Sequence, residues 1–240
     1  MPKKILIAAA LKIEIAPFCK HLNAKLVSSN KNLTVYQSTL ENICVTIANF
    51  GVGNAFNKNL KQFDMQSIDA AFLIGMAGGL KTQQKIGDIA FPENIISVTT
   101  KNLSEVKHPS ENFLYKLKTI RPAGNILCTN KIINNAEKKA LAPDVDFVDM
   151  ESYHFCNNCV TRDIPFLVIK ALSDNLTTQF PKLEFLIGNP FKKDFWKSFF
   201  YFLKNPRELF WLWKMYKNMD KAVNANYKSV LAVIQELFAK

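Results

Sequence analysis

The sequence predicts an α/β fold, a sheet flanked by helices. Three observations predict it. Short, nearly continuous apolar runs recur along the 240 residues. Segments of helical pattern lie between them. Glycines and acidic residues gather where the runs end. A strand covered on both faces loses polar–apolar alternation, so unbroken runs mark interior strands. Their regular exchange with helices is the βαβα rhythm of a layered α/β domain.

The elements follow in chain order. KILIAAA (4–10) is the first strand, and Glu14 comes just after it in AAALKIEIAPF. ICVTIANF (43–50) is the next, followed by Gly51 and Gly53 and a helix over 54–63. That glycine pair permits a tight turn and leaves a helix start open to an anion or a hydroxyl; a plain strand-to-helix turn reads the same way. AAFLIGMA (70–77) is a strand ending among Gly75, Gly78 and Gly79, where backbone must approach a ligand or a neighbouring strand closely. DIAFPENIISV (88–98), FVDM (147–150) and PFLVIKALS (165–173) complete the strands. Helices are predicted over 111–118, 132–140 and 151–160. Neither GxGxxG nor GxxxxGK[ST] occurs, which disfavours a dinucleotide fold and a P-loop.

Composition narrows the classes. With 48% apolar and 21% charged residues the chain can fill a core and is not a disordered segment. The formal charge of +11 allows an anionic partner, but only Arg121, Arg162 and Arg207 among 31 basic residues are arginine. A biased genome produces such lysine excess without selection for binding. The five cysteines lack a secreted disulfide spacing, and no apolar stretch is long enough to span a bilayer. A cytoplasmic location follows, with contact on the inner face of the membrane left open. Cys156 and Cys159 form a lone CxxC on a predicted helix and read as core thiols. His21 and His108 have no partner in the pattern. No metal or cofactor is expected.

Three carboxylates stand at strand ends, where α/β folds build their sites: Glu14, Glu151 in FVDMESYHF and Asp174 in FLVIKALSD. Singly, each reads as a solvated charge or a helix cap. Together with ILIAAALKIEIAPF, NFGVGNAFNKNL, LIGMAGGLKTQQKIGDIAFP and VDMESYHFCNNCVTRDIPFLVIKALSD, they carry a resemblance. From residue 4 to about 175 the chain resembles the purine nucleoside phosphorylase and nucleosidase superfamily. That group includes methylthioadenosine/adenosylhomocysteine nucleosidases, futalosine hydrolases and hopanoid-associated phosphorylase-like proteins.

The resemblance implies a nucleoside phosphorylase-like fold with a central mixed sheet. It also implies cleavage of a purine N-glycosidic bond. Asp174 is then the acid that protonates the leaving base at N7, and Ser173 orients it. Glu151 accepts hydrogen bonds from the ribose hydroxyls and steadies the developing cation. Glu14 holds the attacking water. Met76, Ala77, Gly78, Ile133, Met150 and Lys170 are implied to contact the substrate. Two positions depart from the family pattern: Met76 replaces a frequent serine, and Lys170 replaces a frequent arginine and supplies a point charge rather than a fork. The glycine-rich segments hold no arginine, so water rather than phosphate is the expected acceptor.

The chain divides into an α/β domain over 1–180 and a helical extension over 181–240. From 191 to 217 there are eleven aromatic residues, interleaved with lysines. Pro206 suits the first position of a helix after Asn205. Three readings account for this tail. It is a hairpin packed on the core or on another copy of the chain, or a nucleic-acid surface, or a helix pair in the membrane interface. Scarce arginine and a helical apolar stripe disfavour nucleic acid. The membrane reading accounts for both the aromatic residues and the basic fringe, with Phe199, Phe200, Trp211, Trp213, Lys204 and Lys214 as its contacts. It points to the hopanoid-associated relatives and to a lipid-linked adenosine as substrate. The alternatives are a soluble purine nucleosidase and a non-catalytic membrane-associated member of the fold.

Overall fold

The computed structural model describes residues 2–30, 33–99, 102–133, 135–178 and 205–238. The α/β class and the flanking helices are as expected, with the strands divided between two mixed sheets. The first sheet holds β1 (Lys3–Ala9), β2 (Lys25–Ser29), β3 (Thr34–Leu40), β4 (Ile43–Asn49), β5 (Ala70–Leu73) and β12 (Phe166–Val168), ordered β12-β5-β1-β4-β3-β2. The second holds β6 (Met76–Gly79), β7 (Ile89–Ala90), β8 (Asn94–Thr99), β9 (Asn102–Lys107), β10 (Asn125–Cys128), β11 (Phe147–Asp149) and β13 (Lys170–Asp174), ordered β7-β13-β6-β11-β10-β8-β9. The central strand β1 is parallel to both β4 and β5. Its Ile5, Leu6 and Ile7 are fully buried, as a run covered on both faces requires.

Two runs expected as single strands each break and change sheets. AAFLIGMA divides at Ile74–Gly75 into β5 and β6, and PFLVIKALS divides at Ile169 into β12 and β13. Gly75 has φ +126°, which lets the chain turn there. DIAFPENIISV likewise divides into β7 and β8 around Pro92, which cannot donate to a ladder.

The helices are α1 (Lys12–His21), α2 (Asn54–Gln62), α3 (Glu111–Leu114), α4 (Asn135–Leu141), α5 (Ser152–Val160) and α6 (Pro206–Phe238). Helix α1 was not expected from its pattern, and it carries Pro17. Cys156 and Cys159 are buried on α5. Helix α6 begins at Pro206 and runs for 33 residues. Its second half buries Ala222, Val223, Val230, Val233 and Ile234. A fully buried Val or Ile contributes about 1.5–3 kcal/mol, so this stripe holds the helix on the domain. Among the described residues no helix is long and apolar enough to cross a membrane.

Candidate active site

The sheet crossovers bring the ends of β1, β6, β11 and β13 around one cavity of about 210 Å³. Glu14, Glu151 and Asp174 all line it, with Met76, Ala77, Gly78, Ile133, Met150 and Ser173. Val52 and Ile132, both exposed apolar side chains, also face it.

Glu14 sits in the first turn of α1. Its Oε2 accepts the N–H groups of Ala10 (3.0 Å) and Leu11 (2.8 Å). Its Oε1 accepts the Met76 N–H (2.9 Å) across the sheet crossover. The contact with Leu11 caps the helix from its third residue, so one carboxylate serves both the local fold and the cavity. Gly75 packs against it: a Cβ there would lie 2.5 Å from Oε1. Burial pushes Glu14 up to about 7, against the pull of Lys170 and of its backbone donors.

Glu151 follows β11 and is the residue just before α5. Its Oε1 accepts the Gly53 N–H (3.4 Å), and its Oε2 accepts from Lys170 Nζ (3.2 Å). The Gly51–Gly53 turn therefore meets a carboxylate of the chain itself. Lys170 was expected to touch substrate. It is instead absent from the cavity lining and fully buried, with Asp149 at 2.6 Å and Glu151 at 3.2 Å. Burial pulls its ammonium down, but Asp149, Glu151 and Glu14 hold it above the ordinary lysine range. Asp149, not anticipated from sequence, also accepts the Ser152 N–H (3.0 Å) and hydroxyl (2.6 Å). One ammonium thus serves three carboxyl groups. Glu151 is displaced upward by its burial, with Lys170 opposing.

Asp174 lies at the end of β13. Its Oδ1 accepts the Ser173 hydroxyl (3.1 Å). Its Oδ2 is in direct contact with Nζ of Lys138, from α4. No sequence signal marks Lys138, which stands beside Lys139 in an ordinary helical pattern.

Of the tail residues assigned to a membrane, Phe199, Phe200 and Lys204 lie outside the described residues. Trp211, Trp213 and Lys214 stand on the first turns of α6. Lys214 Nζ lies 5.2 Å from the Trp211 ring centroid, and Lys217 Nζ lies 5.1 Å from that of Trp213.

Residues 4–186 match the family model of the Phosphorylase superfamily. The chain belongs to that superfamily. Within it, a 5'-methylthioadenosine/S-adenosylhomocysteine nucleosidase of Buchnera aphidicola subsp. Baizongia pistaciae is 28% identical over 197 residues, covering 72% of this chain and 78% of that protein. The adenine complex of the corresponding nucleosidase from Colwellia psychrerythraea superposes with TM-score 0.70 at 19% identity, over 99% of this chain and 96% of that one. The futalosine hydrolase of Helicobacter pylori superposes with TM-score 0.73 at 16% identity, over 99% of both. Phosphorylase-superfamily membership agrees with the fold expected from the residues. The similar proteins named above are two 5'-methylthioadenosine/S-adenosylhomocysteine nucleosidases and a futalosine hydrolase.

Proposed function

We propose that this chain is a purine nucleosidase that hydrolyses the N-glycosidic bond of a small 5′-substituted nucleoside of the methylthioadenosine/adenosylhomocysteine or futalosine kind. The convergence of Glu14, Glu151 and Asp174 on one cavity carries the reading. Breaking the bond leaves positive charge on the ribose and moves an electron pair into the base. Asp174 delivers a proton to N7, which turns the base into a competent leaving group. Glu151, fixed from behind by Lys170, accepts the ribose hydroxyls and stabilises the cation. Glu14 takes the proton of the attacking water, a role that a carboxylate titrating near 7 suits.

Water as acceptor is supported by the lining, whose cations among the described residues are Lys131 and Lys138, with Lys138 already against Asp174. The apolar Leu11, Val52 and Ile132 suit an alkylthio substituent on the same cavity. The test is base release from methylthioadenosine, adenosylhomocysteine and futalosine in phosphate-free buffer. Asp174→Asn is expected to abolish release and leave ligand binding near normal. Release only when phosphate is added, with a ribose phosphate as product, would make the chain a phosphorylase.

A second reading rests on the first turns of α6. Leu209, Phe210, Trp213 and Tyr216 are each more than half exposed there, beside Lys214 and Lys217. Such a surface suits the headgroup layer of an anionic membrane and a lipid-linked adenosine drawn from it. Sedimentation with anionic vesicles, lost on Trp211→Ser/Trp213→Ser, would support it. Unchanged activity on a lipid-linked nucleoside after that double change would remove it. A non-catalytic member of the fold is the third reading, and base release from any nucleoside ends it.

A further inference from the structure

Lys138 and Lys139 are adjacent on α4, yet their environments differ completely. Lys139 is exposed, and Lys138 is 2% exposed. A lysine is buried so deeply only where something compensates for its lost hydration. Here that partner is the carboxylate assigned as the acid, since Lys138 Nζ touches Asp174 Oδ2. Both atoms lie against the bare Cα of Gly78, where a Cβ would come within 3.0 Å of each. Helix α4, β6 and β13 thus enclose one lysine–aspartate pair at the cavity wall.

The contact poses a chemical problem. A general acid needs its proton, and a neighbouring ammonium favours the ionised carboxylate. Resting on the nucleosidase reading, we propose that Lys138 is a positioning residue that shares one proton with Asp174 and supplies the proton that Asp174 hands to the purine. In the step, the Lys138 Nζ–H bond breaks as an O–H bond forms on Asp174. That O–H bond then breaks as N7–H forms, and the C1′–N9 electron pair passes into the ring. Lys138 is left as a neutral amine. The attacking water gives its proton to Glu14, and solvent exchange returns one proton to the lysine, so the reaction consumes only water.

Burial supports the exchange, because it draws Lys138 down to about 8 and loosens its proton. Among the described residues, the other charged groups lining the cavity are Glu14, Lys131, Asp149 and Glu151. Asp149 and Glu151 are engaged with Lys170, and Glu137 of α4 is paired with Lys131 at 2.6 Å.

The test compares kcat against pH for the wild type, Lys138→Arg and Lys138→Met on methylthioadenosine, adenosylhomocysteine and futalosine. Arginine keeps the charge and does not give up its proton. Lys138→Arg is expected to lose about 10²-fold in kcat, with KM within about threefold. Lys138→Met is expected to show its alkaline limb moved about one unit toward lower pH. Wild-type kcat and profile in Lys138→Arg would overturn the proposal. A second arm needs no turnover and no Lys138 variant. In ¹³C-lysine-labelled protein, the Lys138 Cε resonance is expected to titrate about one unit lower in Asp174→Asn than in wild type. An unmoved titration would overturn the proton-sharing pair. If the wild type releases no base from any of the three nucleosides, the nucleosidase reading fails, and the resonance still decides the pair.

Discussion

Asn226 of α6 holds Gly75: its Oδ1 accepts the Gly75 N–H at 3.2 Å. Its Nδ2 donates to the Ile169 carbonyl at 2.7 Å. Gly75 and Ile169 are the two points where strands pass between sheets. The residue after each is Met76, which seats Glu14, and Lys170, which anchors Glu151. One buried amide on α6 therefore fixes both crossovers that carry the acidic groups.

Asn226→Leu should accordingly act on stability and on rate. It fills similar volume but leaves a buried N–H and a buried carbonyl without partners. The expected cost is about 1–3 kcal/mol for each orphaned group. A urea titration reads the stability. A fall in kcat at temperatures where the variant remains folded reads the displaced Glu14. A stable, fully active variant would mean that α6 only covers the core.

Lys170→Met removes the cation from a buried cluster of carboxylates. Asp149 and Glu151 would remain buried without their cation, at a cost of about 3–5 kcal/mol. Adding Asp149→Asn should recover part of that loss, since it removes one of the stranded charges. Chemical denaturation of the single and double variants measures the recovery.

Glu14 makes stability depend on pH with a definite sign. Its folded value, about 7, lies above the ordinary 4.5. Between those values the folded state holds a proton that the unfolded state has lost, so stability falls as pH rises through this window. The full difference is about 3 kcal/mol. Glu14→Gln carries no such proton and should flatten this part of the profile. Thermal unfolding across pH 4 to 8 in the two proteins is the measurement. The same titration predicts that activity rises toward pH 7, as Glu14 becomes able to accept a proton.

Much of this site was legible because its carboxylates close strand runs, and strand ends in an α/β fold face the ligand. The glycines were legible for a related reason: Gly75 and Gly78 do meet other groups closely, though these are Glu14 and the Lys138–Asp174 pair. The sheet crossovers were hidden, since an apolar run reads the same whether it stays in one sheet or changes to another. Lys138 was hidden because hydrophobic pattern cannot separate it from Lys139 next to it. Asn226 left a trace. It stands at a core phase of α6, in step with Val223, Val230 and Val233. A polar residue at that phase signals a buried hydrogen-bonding role.

The two crossover-strand glycines should respond differently to a single methyl group. At Gly75 the backbone has φ +126° and the new Cβ would lie 2.5 Å from Glu14 Oε1, so Gly75→Ala is expected to fail in folding. At Gly78 the backbone is ordinary, and the three atoms nearest the new Cβ are side-chain atoms of Asp174, Lys138 and Val148, each at 3.0 Å. These can yield by a few tenths of an ångström, so Gly78→Ala should fold. The movement falls on Asp174 and Lys138, whose positions relative to N7 set the rate in the proposed reaction. A displacement near 1 Å costs about 10²-fold, and this smaller one should cost about tenfold in kcat. Circular dichroism and kcat measured on one preparation would separate the two effects. A Gly78→Ala protein with unchanged kcat would show that the pair does not act on the reacting base.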